Sequence, residues 1–169
     1  MPNRHSRLLA GGLLASGLSA LLVAPPAARA EVLYTLDTTC TLRGGAAQPC
    51  QVQAQEDDEA TLYRQTVGKE VITIRITDRP IRMSLQKKGS KEWSNLTNAG
   101  ARFSTNTICF NNRDLCVVNP NYLNSVREEN PGSLEGRDLV MVHFGPDGRV
   151  NISCYDEGCE AIEREAMKR

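Results

Sequence analysis

The side chains best able to do chemistry in this 169-residue sequence are six cysteines and, beyond residue 30, a single histidine, His143. Cys40, Cys50, Cys109, Cys116, Cys154 and Cys159 fall into three couples, separated by ten, seven and five positions. Thiolates can hold zinc, cycle through a redox pair, attack a substrate, or join as disulfides. Structural zinc favours C-x₂₋₄-C spacings, and a thioredoxin-like centre needs C-x-x-C; neither occurs here. The couples therefore read as disulfides. Sequence alone does not single out one pairing, but closeness makes Cys40–Cys50, Cys109–Cys116 and Cys154–Cys159 the expected set. Each short loop would contribute on the order of 2–3 kcal/mol by constraining the unfolded chain. Once paired, the cysteines offer no nucleophile.

Histidine and carboxylate chemistry is thinly represented. A hydrolytic triad needs a base beside its nucleophile, and His143 sits in Val142-His143-Phe144. Strand alternation puts it with Leu139 and Met141, where a structural or solvent-facing role is expected. No G-x-S-x-G, H-E-x-x-H, P-loop or dinucleotide fingerprint occurs. Paired-carboxylate catalysis needs only two acids placed together in space. The densest cluster is Glu56-Asp57-Asp58-Glu59, which lacks the alternating oxygen ligands and glycine of a calcium loop. It reads as a solvated turn between strands. No catalytic residue, metal site or cofactor is assigned.

The most unusual stretch runs from Thr105 to Asn124, with asparagine at 106, 111, 112, 119, 121 and 124. Asparagine both donates and accepts, so a rigid loop of this kind can hydrogen-bond a sugar, a peptide or a partner backbone. A disulfide between Cys109 and Cys116 would pre-organise that surface and lower the entropy cost of binding. The candidate binding residues are Asn111, Asn112, Arg113, Asp114 and Tyr122. Asparagine also tolerates left-handed backbone and caps helices, so the same residues serve equally to build turns.

The first thirty residues have a different character. Arg4, His5 and Arg7 precede an apolar stretch from Leu8 to Val23, then Pro25-Pro26 and the small-x-small site Ala28-Arg29-Ala30. This is the pattern of a secretory signal peptide cleaved after Ala30, and the apolar run is short for a membrane span. The whole chain has 20 basic and 20 acidic side chains. Removing residues 1–30 takes away three arginines and no acids, leaving a net charge of −3. That balance disfavours nucleic-acid binding, which needs a basic excess. No later apolar run would span a bilayer, and an exported chain meets an oxidising compartment, where disulfides form.

Residues 31–169 read as one disulfide-braced, β-rich domain. Val32, Tyr34, Leu36, Thr38, Cys40 and Leu42 alternate with more polar neighbours, as do Cys50, Val52 and Ala54, giving a hairpin across Gly44-Gly45. Strands follow at 60–67 and at Val71–Thr77, the latter with Ile72, Ile74 and Ile76 facing in. Ile81, Met83 and Leu85 continue the period after Arg79-Pro80. Weaker strands are anchored by Trp93 and Leu96 and begun by Ala101-Arg102-Phe103. The last hairpin pairs Leu139–Phe144 with Arg149–Tyr155 around Pro146-Asp147-Gly148, with Val150, Ile152 and Cys154 turned inward. Asn119-Pro120 opens a short helix to about Glu129, ended by Pro131-Gly132. A C-terminal helix spans Cys159 to Lys168, with i,i+4 pairs Glu160–Arg164 and Glu165–Arg169.

About eight short strands predict an antiparallel meander, closed as a small barrel or folded as a sandwich, with one internal and one C-terminal helix. The expected function is that of an exported, periplasmic or secreted binding or envelope-associated module without catalysis. Its partner would be a protein or glycan of the cell envelope, or a small ligand if the interior is deep and apolar. The alternative is a small carboxylate-dependent hydrolase, marked by two acids, or His143 and an acid, converging in a pocket.

Overall fold

A computed structural model of the chain describes residues 31–166. The expected export segment, 1–30, lies outside the described residues, as do side chains needed for the Glu160–Arg164 and Glu165–Arg169 pairs. The described chain begins with an antiparallel meander: β1 (Val32–Leu42), β2 (Gln48–Asp57), β3 (Ala60–Val67), β4 (Glu70–Asp78), β5 (Ile81–Lys87) and the short β6 (Ser94–Asn95). Turn chemistry sets each reversal. Gly68 (φ +58) supplies the left-handed residue between β3 and β4. Asp58 (φ 51) does so between β2 and β3, so the acid tract is the end of one strand and its turn. Arg79-Pro80, with a cis peptide bond, joins β4 to β5.

The second half contains β7 (Asn98–Arg102), β8 (Thr107–Phe110), β9 (Leu115–Val118), α1 (Pro120–Glu129), α2 (Pro131–Leu134), β10 (Leu139–Phe144), β11 (Val150–Tyr155) and α3 (Glu157–Ala166). Three expectations change here. Ala101-Arg102-Phe103 ends a strand instead of beginning one. The asparagine-rich stretch is no open loop but a tight hairpin, β8–β9, with Cys109 directly opposite Cys116. Pro131-Gly132 does not merely stop the first helix; Pro131 opens a second, four-residue one, because proline's fixed φ suits a first helical position.

The eleven described strands form one antiparallel sheet in the order β11-β10-β7-β8-β9-β1-β2-β3-β4-β5-β6. The simple meander fails twice, where β9 pairs with β1 and β10 with β7. The sheet curls into a half-barrel. Its two ends come together at a corner. There β6 runs into β7 through Leu96 and Thr97, whose backbones bond Met83 and Phe144 at 3.0 and 2.9 Å. Gly148 fits against Asn95 at that corner, where a Cβ would lie 3.0 Å from the Asn95 amide nitrogen. Among the described residues no strand pairing joins β5 or β6 to β10 or β11.

The concave face is the core. Cys40, Val52, Ile72, Ile74, Phe110, Leu115 and Val117 are buried there, which is the alternation expected from β1, β2 and β4. The C-terminal hairpin departs from it. A register shift between His143 and Phe144 sets Cys154 opposite Met141 and Ile152 opposite His143, while Val150 pairs with Phe144. Val150, Ile152 and Cys154 therefore do not share an inner face. Cys154 packs with Met141, Cys159 and Ile162 on the convex side, under α3, and Ile152 is 45% exposed. Such a bulge inverts the side-chain pattern beyond it. Disulfides join Cys40–Cys50, Cys109–Cys116 and Cys154–Cys159, and no described cysteine is free. This covalent framework marks an oxidising environment. No helix among the described residues is long and apolar enough to cross a membrane.

Candidate functional site

Where the ends of the half-barrel part, the concave face opens as a cleft of about 1130 Å³. One wall comes from β4 and β5 through Ile76, Ile81 and Met83; the other comes from β7, β8, β10 and β11 through Ala101, Ile108, Val140, Val142 and Val150. Small residues on β7 leave the room, since Ala99 and Ala101 occupy inward positions where a larger side chain would fill the space. Ile81 and Val150, on opposite lips, are 45% and 37% exposed.

The helices α1 and α2 lie across part of the opening. Asn119 caps α1 by accepting a hydrogen bond from the backbone N–H of Tyr122 at 3.1 Å, and it also bonds the Tyr34 hydroxyl. Leu123 and Leu134 seat the helices against Phe103 in a smaller apolar cluster. The Arg127 guanidinium stacks over the Phe103 ring at 4.4 Å. Tyr122 projects between this cluster and the main core and meets Tyr63 edge-on, with ring centroids 5.3 Å apart.

Most polar residues of the cleft sit at its exposed rim: Asp78, Arg79, Glu129 and Arg149 contribute charge there, and Asn130, Ser133 and Ser153 are exposed as well, while Tyr122 and Tyr155 contribute half-buried phenols. Burial pushes the Tyr122 hydroxyl well above its ordinary pKa, and the charges of Asp78 and Glu129 add to the effect. It is therefore a neutral donor across the physiological range. Tyr63, half-buried beside it, is shifted the same way. The carboxylates held below their ordinary range lie elsewhere. Asp138 accepts from the backbone and hydroxyl of Ser104 at 2.7 and 3.0 Å and pairs with Arg102. Asp156 accepts from the backbone N–H groups of Leu139 and Asp138. Both brace the start of β10. His143 shares the convex side with Met141 and is not part of the cleft lining. Among the described residues, no three histidine, cysteine or carboxylate side chains gather to hold a metal ion.

The five candidate binding residues fall into two places. Asn111, Asn112, Arg113 and Asp114 form the tip of the β8–β9 hairpin, beyond the Phe110–Leu115 pair. Tyr122 follows β9 at the hairpin's opposite end, near the Thr107–Val118 pair. At the tip, Asn111 (φ 47) and Asn112 (φ 63) take up left-handed backbone. The Asn111 side chain accepts from the Thr97 N–H at 2.9 Å, and Asn112 exchanges bonds with Asn98 at 2.8 and 2.6 Å. The backbones of Arg113 and Asp114 receive N–H groups from Gly44 and Arg43. Arg113 and Asp114 remain exposed. Ile76, Ile81 and Met83 were legible as inward-facing from the alternation of β4 and β5, whereas β7 was expected to begin at Ala101 and its inward alanines were not read, and nothing local marks that the sheet stays open beside them.

No family model matches the chain, and neither a curated protein nor a solved structure shows significant similarity to it. The fold and site define a half-barrel with a helical cover over an apolar cleft.

Proposed function

We propose that the protein is exported and acts without catalysis, holding an apolar small ligand in the half-barrel cleft as a carrier or receptor of the periplasm, envelope or exterior. The cleft itself carries this reading: it is concave, its walls are mainly apolar, and apart from Tyr122 and Tyr155 its polar residues sit at the exposed rim, as suits a small-molecule site. At about 1130 Å³ it exceeds the volume of most drug-sized pockets, roughly 300–1,000 Å³, which favours a bulky or elongated occupant. A ligand seated between β5 and β11 would fill the gap that separates the half-barrel from a closed barrel. Export is supported by the pattern of residues 1–30 and by three disulfides.

The test uses diphenylhexatriene, an uncharged hydrocarbon that fluoresces in apolar surroundings. Its emission is expected to rise saturably with the purified protein. Ala101→Phe fills the cleft from β7 and is expected to weaken this binding at least about tenfold while leaving far-UV circular dichroism and Tm unchanged. Equal binding by wild type and a folded Ala101→Phe variant would overturn the reading.

A further inference from the structure

The reading of the cleft as an apolar ligand site leaves the ligand's polar end unassigned, and the inference drawn next rests on that reading. The walls, among them Ile76, Met83, Ile108 and Val142, can only meet hydrocarbon. Of the uncharged polar residues that line the cleft, Asn130 and Ser133 are exposed and already bond backbone carbonyls, Ser153 is exposed, and the Tyr155 ring lies under Arg137; Tyr122 is set between the two apolar clusters. Its ring is fixed by the edge contact with Tyr63 and its backbone by the Asn119 cap. Among the described residues no group bonds its hydroxyl. A positioned hydroxyl that opens onto an apolar cavity offers a bound ligand a directed hydrogen bond, which counts for more in such surroundings than in water.

The charges around it choose the kind of acceptor. Asp78 and Glu129 both act on the Tyr122 hydroxyl, so a carboxylate or phosphate brought to that hydroxyl would meet two like charges. Arg79 and Arg149 stand at the rim, and the four rim charges sum to zero. The cleft thus offers no net attraction to an ion of either sign, and a primary amine cannot accept the phenol proton once charged. We propose that the cleft takes an uncharged amphiphile, a long apolar body bearing a carbonyl, ester or ether oxygen that accepts a hydrogen bond from the Tyr122 hydroxyl.

The experiment displaces diphenylhexatriene from the purified protein with a long-chain methyl ester, and with the carboxylate and the primary amine of the same chain, all below their micelle concentrations. The ester is expected to compete at least about tenfold better than either ion. Tyr122→Phe is expected to weaken the ester about three- to tenfold and to leave the hydrocarbon probe's affinity unchanged. Asp78→Asn is expected to improve carboxylate binding several-fold with no change for the ester. If the probe binds but the carboxylate or the amine matches the ester, the assignment of an uncharged ligand fails while the cleft reading stands. Equal weakening of probe and ester by Tyr122→Phe would also overturn it, by showing a role in packing alone. If the probe does not bind at all, both readings fall together.

Discussion

Asn119 does two jobs with one amide: it caps α1 and bonds Tyr34, and so ties the helix to β1. It is 2% exposed, so its loss uncovers buried polar groups as well as a helix end. Asn119→Ala is expected to cost about 2–3 kcal/mol in urea-induced unfolding, and a cost below about 0.5 kcal/mol would contradict the capping role. Acid sensitivity is likewise fixed by single residues. Asp138 and Asp156 have carboxyls held below the ordinary range by hydrogen bonds to the folded backbone. Their contribution is present above the unfolded carboxyl pKa and is lost as pH falls through the lower folded values. Tm is therefore expected to decline below about pH 4, and a double Asp138→Asn, Asp156→Asn variant should show a shallower decline from a lower starting Tm. An unchanged slope would mean that other carboxylates govern acid unfolding. The Asn119 cap was legible in the sequence, since Asn-Pro is a helix-opening pair. The braces were not, because Asp138 and Asp156 act through backbone groups brought to them by β7 and β10.

Hairpins are the elements in which sequence and structure agree best. Period-two alternation and glycine, proline or aspartate turns specify β1 to β5 almost strand by strand, because both signals are local. The three cysteine couples are local too, yet they brace different things. Cys40 and Cys50 belong to the main core, whereas Cys154 and Cys159 sit in a small satellite cluster beneath α3. Replacing both Cys40 and Cys50 by alanine is expected to lower global stability by roughly 2–4 kcal/mol. Replacing Cys154 and Cys159 should chiefly release α3, seen as lost amide protection in that helix with little change for β1–β5. Equal global losses from the two pairs would contradict this division. The C-terminal hairpin is where alternation misled, since the bulge at His143 and Phe144 carries no marker as plain as a glycine. The asparagine-rich hairpin was missed because its strands are only four residues each, too short for a pattern to stand out.

At the scale of the molecule, one continuous sheet links all three apolar clusters, so unfolding should be a single cooperative event. Trp93, the only tryptophan, lies just before β6 at one end of the sheet. Its fluorescence and far-UV circular dichroism are expected to change with the same midpoint in urea, and two separated transitions would show that the β7–β11 half folds on its own. The sequence by itself determined the inward-facing residues of β1, β2 and β4, the turns between the first five strands, the cysteine couples and the cap on α1. Each of these depends on neighbours within a few positions, where side-chain type and backbone geometry are directly coupled. Only the tertiary structure decided that β9 returns to β1, that β10 joins β7, and that the curled sheet stops short of closing. Those outcomes rest on pairings between distant strands and on accumulated twist, for which many registers are compatible with the same alternating pattern. The cleft, and Tyr122 within it, exist because of that incomplete closure.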